Sequence, residues 1–276
     1  MTQEKLCAYN IPLALIDSYS SRPLIVRAAN PVAVVQTLSP QHLENVVALQ
    51  LLDISADLDE LEHWGAGLPI EMVLKDPESE TMKLYRLCKL QRLHPVRVVV
   101  PLVAGFSKAV RVASFLRLPV KLEGTQPDPP LLEELAETLE FFLHNKAVSE
   151  PIDYFNGLLT AMLHKQPLTL WSLQEEDPAL VRYVTDEGVE TVARRPFFVK
   201  DENLDAFHFE LIKRVLSDDA ECASCEFFLN CGGYFKWPNH EFSCAGIKRV
   251  LHRLRGAAYE LQDDLSLYPT RRESAT

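Results

Sequence analysis

The sequence predicts an α/β protein in which a parallel sheet with crossover helices precedes a small cysteine-rich module. Three observations carry this reading. Five short apolar runs rich in β-branched residues begin 22 to 26 residues apart, which leaves room for a crossover helix after each. Several of the runs hold continuous apolar stretches rather than strict alternation, as strands covered on both faces do. Four of the six cysteines then fall between positions 222 and 244.

Taken in order, the strands are expected at 22–27, 46–53, 70–74, 96–103 and 118–122, with a sixth at 168–171. Helical periodicity places helices at 56–64, 80–93 and 107–116 between them. The breaker-rich run 125–130 leads into an amphipathic helix at 131–143, with Glu133, Glu134, Glu137 and Glu140 on its exposed side. Further helices are expected at 158–164 and at 201–216. The latter begins near Asn203 and closes with Lys213 and Arg214, which suits the helix dipole. A last helix at 247–261 carries Val250, Leu251, Leu254 and Ala258 on one face. The tail 268–276 is polar and reads as frayed. No internal repeat or low-complexity tract is present. The division expected is 1–200 for the sheet part and 201–276 for the cysteine module.

The totals exclude several classes. The chain has 276 residues, 47% hydrophobic and 24% charged, the balance of a globular protein with a sizeable core. A formal net charge of −11 argues against nucleic acid as partner and favours a basic peptide or protein. Residues 1–6 lack the basic and apolar regions of a signal peptide, and no 18-residue apolar run suggests a membrane span. The expected compartment is the reducing cytoplasm, where clustered cysteines serve as ligands more often than as disulfides.

Cys222-Ala-Ser-Cys225 is followed by Cys231 after five residues and by Cys244 after twelve more. Such thiolates suit zinc or the iron of an iron–sulfur cluster. Gly232 and Gly233 follow Cys231 at once and let backbone N–H groups turn toward sulfur. A zinc ribbon pairs two CxxC knuckles, whereas the second half here is the lone Cys244. His240 is a further ligand candidate, read as an exposed loop histidine instead. Phe227, Phe228, Tyr234, Phe235 and Trp237 are expected to cover the centre. Cys7 and Cys88 read as small buried hydrophobes. Asp53 and Glu123 stand at strand ends, where a barrel keeps substrate-binding groups; Asp76 reads as a turn residue before Pro77. Phosphate loops, the G-x-S-x-G elbow and H-E-x-x-H are all missing.

The pattern C-x2-C-x5-C-G-G, followed by Phe242-Ser-Cys-Ala-Gly-Ile-Lys248 opening a helix, resembles the SPASM extension of radical S-adenosylmethionine enzymes. That family includes sulfatase-maturing enzymes and maturases of ribosomally made peptides. The resemblance implies a partial (β/α)6, TIM-like barrel before the module. It also implies that Cys222, Cys225, Cys231 and Cys244 bind an auxiliary [4Fe–4S] cluster, with zinc the alternative. Two departures limit it. Phe235 stands where the family has a further cysteine, and the CxxxCxxC that binds the initiating cluster is absent. S-adenosylmethionine is therefore not expected as a cofactor. The resulting expectation is a non-initiating accessory protein, acting with a precursor peptide or a partner maturase in peptide or protein modification. An enzyme using the retained cluster or another cofactor, and a structural zinc protein with an interaction role, are the alternatives.

Overall fold

Each of the five spaced apolar runs becomes a strand of one sheet in the computed structural model, which describes residues 7–124, 126–192, 203–218 and 220–267. The strands are β1 (Ala8–Pro12), β2 (Leu24–Ala28), β3 (Val46–Leu51), β4 (Ile70–Val73), β5 (Val96–Pro101), β6 (Val120–Glu123), β7 (Val181–Val184) and β8 (Glu190–Thr191). They lie in the order β6-β5-β4-β3-β2-β1-β7-β8. All neighbours are parallel except the β7–β8 pair. The sheet curls without closing, so it is a half-barrel.

Three expectations need correction. The sixth strand at 168–171 does not form: Leu170–Leu173 is a helical turn, capped by the Thr169 hydroxyl, which accepts from the Ser172 amide at 3.3 Å. A Thr at the N-cap offers the backbone this alternative to a ladder. The helix expected at 56–64 is only a 3₁₀ segment, Asp59–His63, and that at 80–93 is broken into Pro77–Glu80, a 3₁₀ run Thr81–Arg86 and Leu87–Leu90. β1, β7 and β8 were not anticipated. The expectations for residues 1–6, for the beginning of the 201–216 helix and for 268–276 fall wholly or partly outside the described residues. Within the described part that helix is Phe207–Asp218.

The strands separate two environments by simple alternation. Ile11, Leu24, Val26, Leu49, Leu51, Ile70, Met72, Val98, Val100, Val120 and Leu122 point outward into the core beneath the helices. Asn10, Arg27, Gln50, Glu71, Arg97 and Lys121 point into the curl. Cα register aligns Arg27 with Gln50, Gln50 with Glu71 and Glu71 with Arg97, a polar row across four strands.

The helix Pro129–His144 starts where the breaker run ends, with Asp128 accepting from the Leu131 amide at 3.0 Å. Against it and against Asp153–His164 lies the last helix, Ala245–Leu267. Gly246 permits the close approach, since a Cβ there would come within 2.4 Å of Leu132 Cδ1. One apolar core runs from the strands through Leu132, Leu135 and Leu139 to Cys222, Phe227, Cys244 and Leu254. The cysteine segment is thus seated on the sheet's helical layer.

Candidate functional site

Four short pieces of chain bring the cysteines together. Cys222 lies in the turn Ala220–Ala223, Cys225 follows it, Cys231 ends the turn Phe228–Cys231, and Cys244 immediately precedes the last helix. Gly232 and Gly233 reverse the chain after Cys231 with φ of 59° and 75°, left-handed values that suit residues without a Cβ. The reversal aims the backbone amides of Phe235, Tyr234 and Gly233 at the Cys231 sulfur.

All four cysteines line one small cavity, together with Glu221, Lys236, Lys248, Phe227, Phe228 and Phe235. None is in a disulfide. Burial pushes the Cys231 thiol up, against those three amides. Burial, with the charges of Cys231 and Glu221, pushes the Cys244 thiol up to about 12, and Lys236 pulls the other way. These sulfurs are therefore thiols until a cation displaces their protons. The Tyr154 hydroxyl is buried beside Cys231 and finds no hydrogen-bond partner among the described residues. A sulfur-rich anion bound by Cys231 would give it an acceptor. A soft donor set, inward-facing amides and an orphaned hydroxyl fit a thiolate-bound inorganic centre. Among the described residues, no set of three or more His, Cys, Asp or Glu side chains closes on the point a single ion would occupy.

The other expectations sort plainly. Phe235 fills the place of the family's further cysteine with a ring on the cavity wall, stacked on Phe242 at 6.4 Å. Phe227 and Phe228 also cover the cavity, but Tyr234 and Trp237 turn away to pack on Trp171, at 5.0 and 5.7 Å between ring centroids. His240 is exposed and does not line the cavity. Cys7 is half-buried, its sulfur 3.5 Å from the Pro178 carbonyl, and Cys88 is half-buried on Leu87–Leu90. Asp53 accepts from the Ser55 amide at 2.8 Å, and Asp76 caps Pro77–Glu80; both are turn residues. Glu123 alone of the strand-end carboxylates faces an interior polar cavity, shared with Asn10, Gln50, Lys121, Gln174 and Glu175.

Sequence reasoning missed the interior of the curl. Arg97 pairs with Glu71, with Asp153 at 2.8 Å and with Glu175 at 2.6 Å, while Lys121 meets Glu175 at 2.7 Å. Gln50 donates to Glu71 at 2.9 Å. Lys121 is 4% exposed, a charge that persists there only because it is paired. Burial pushes the Glu175 carboxyl up, but Lys121 and Arg97 outweigh it and hold it at about 2. The signal was legible: Glu71, Arg97 and Lys121 each interrupt an apolar run at its second residue.

One solved structure, native anSMEcpe with bound AdoMet, is similar to this chain with a TM-score of 0.56 and 12% identity, over 92% of this chain and 89% of that one. The two chains share a fold. No family model and no curated protein matches the sequence. In this chain the paired charges and the segment Gln174–Glu176 occupy the inside of the half-barrel, and the four cysteines stand apart at the last helix. No helix among the described residues is long and apolar enough to cross a membrane.

Proposed function

We propose that this chain is a non-initiating, radical-SAM-like accessory protein that binds one [4Fe–4S] cluster through Cys222, Cys225, Cys231 and Cys244. It acts with a precursor peptide or a partner maturase in peptide or protein modification. The convergence of those four cysteines on one cavity carries the reading. The spacing favours a cluster over a zinc ribbon, because a lone Cys244 stands where a ribbon has a second CxxC knuckle.

The ion pairs inside the half-barrel support the accessory role, because Glu71, Arg97, Lys121, Asp153 and Glu175 are committed to one another. An acidic body suits a basic segment of the peptide or maturase.

Anaerobic reconstitution tests the proposal. The expected product is brown, with iron and acid-labile sulfide in equal amounts. Cys225→Ser should lose most of both and melt at lower temperature, whereas Cys7→Ala and Cys88→Ala should retain them. A colourless protein carrying one zinc would replace the cluster reading by the zinc one. Co-purification with a complete radical enzyme or a precursor peptide tests the role in modification.

A further inference from the structure

Two ammonium groups stand on the wall of the cysteine cavity, Lys236 and Lys248. Lys236 is only 5% exposed, in the 3₁₀ turn Tyr234–Lys236. Its Nζ lies 3.0 Å from Glu221 Oε2, and Lys248 Nζ lies 2.8 Å from Oε1 of the same carboxylate. The charge of Lys236 is felt at Cys244, and Cys225 and Cys244 are felt at Lys248. Glu221 therefore clamps two cations against the sulfurs and leaves the trio with one net positive charge. A buried ammonium costs more than an aliphatic side chain of equal length, so packing alone does not explain Lys236.

A cluster held by four thiolates is itself an anion, and one electron makes it more negative. That electron breaks no bond and needs no proton. Fixed positive charge in a dry wall favours the more negative state, and net charge around a cluster is one of the levers on its potential.

We propose that Lys236 and Lys248, clamped by Glu221, are positioning charges that raise the reduction potential of the centre bound by Cys222, Cys225, Cys231 and Cys244. The inference rests on the cluster reading above. It gives the centre an electron-transfer role that a structural cluster would not need.

The test is a dithionite titration of the reconstituted full chain, followed by optical bleaching and by the paramagnetic signal of the reduced state. Lys236→Met takes the trio to zero and should lower the midpoint. Glu221→Gln takes it to two positive charges and should raise the midpoint. Lys236→Arg should restore the original value. Lys248→Met, at a half-buried position of the last helix, repeats the lowering should Lys236→Met fail to hold iron. Shifts of opposite sign support the proposal, because lost packing would not reverse direction. Equal iron with no shift, or shifts of one sign, overturns it and leaves the cluster reading intact. Wild-type protein that binds no iron overturns both.

Discussion

At the scale of single residues, the geometry of the cysteine cavity turns on two glycines. Gly233 has φ of 75°, and a Cβ built there would sit 3.5 Å from the Val215 methyls, an ordinary contact. Gly233→Ala should therefore cost backbone strain alone, about 1–2 kcal/mol by the usual penalty for a left-handed L-residue. Gly232→Ala should cost more, because its Cβ would also press to 3.2 Å on the ring of Trp171, whose Nε1 donates to the Gly232 carbonyl at 3.0 Å. Urea unfolding of the two variants measures the difference, and equal losses would contradict this ranking. The spacing of the four cysteines and the glycine pair were legible in the sequence, since ligand spacing and left-handed turns are local properties. Lys236 was not. Nothing in Tyr234-Phe-Lys236 announces a buried ammonium; the 3₁₀ turn and Glu221, from another piece of chain, put it there. Lys248 was within reach of sequence reasoning, because it stands one helical turn after Cys244.

At the scale of elements, strands declared themselves where apolar residues ran together and hid where the run was short or broken by polar residues or proline. β2 to β6 are apolar runs; β1 holds Asn10 and ends at Pro12, and β7 holds Arg182 between the apolar positions Val181 and Tyr183. The segment 168–171 shows the opposite error, an apolar run turned helical by its Thr cap. Just beyond it, Glu175 takes a left-handed φ of 57°, a strained value for a residue with a Cβ, so that its carboxylate can bridge Arg97 and Lys121. The bridge has a pH signature. Held at about 2, the Glu175 carboxyl stabilises the fold fully above its ordinary range near pH 4.3, and that contribution is lost as pH falls toward 2. Asp153 has the opposite sign: burial raises it, against the pull of Arg97, so its share favours the fold on the acid side and declines as pH rises. Glu175→Gln should be less stable at neutral pH by about 3 kcal/mol, the order expected for breaking a buried pair. It should also lose much of its slope of stability against pH between 4.3 and 2. A variant with the wild-type acid slope would show that Glu175 is not the group held down.

At the scale of the whole molecule, the expected division into a sheet part and a cysteine module meets an apolar core that shows no seam. Leu132 and Leu135 of the helix Pro129–His144 belong to the same buried set as Val100 and Leu122 of the strands and as Cys244, Ile247 and Leu251 around the last helix. Sequence composition could not disclose this, because continuity of a core depends on which helix faces meet. The last helix lies along both Pro129–His144 and Asp153–His164, and Arg253 pairs with Glu140 at 2.7 Å across the first of these contacts. Arg97 ties the sheet to Asp153 at the start of the second. A ligand bound by the cysteines, as proposed, would therefore stabilise more than their own loop. A metal centre adds its binding free energy only to states in which its ligands are assembled, and here assembly requires helices that also cover the sheet. If the proposed cluster is bound, removing its iron with a chelator should lower the melting temperature of the entire chain in one cooperative step, seen alike by far-ultraviolet circular dichroism and by the fluorescence of Trp64, Trp171 and Trp237. A low-temperature loss confined to tryptophan fluorescence, with the helical and sheet signal melting later and unchanged, would instead establish two independent units.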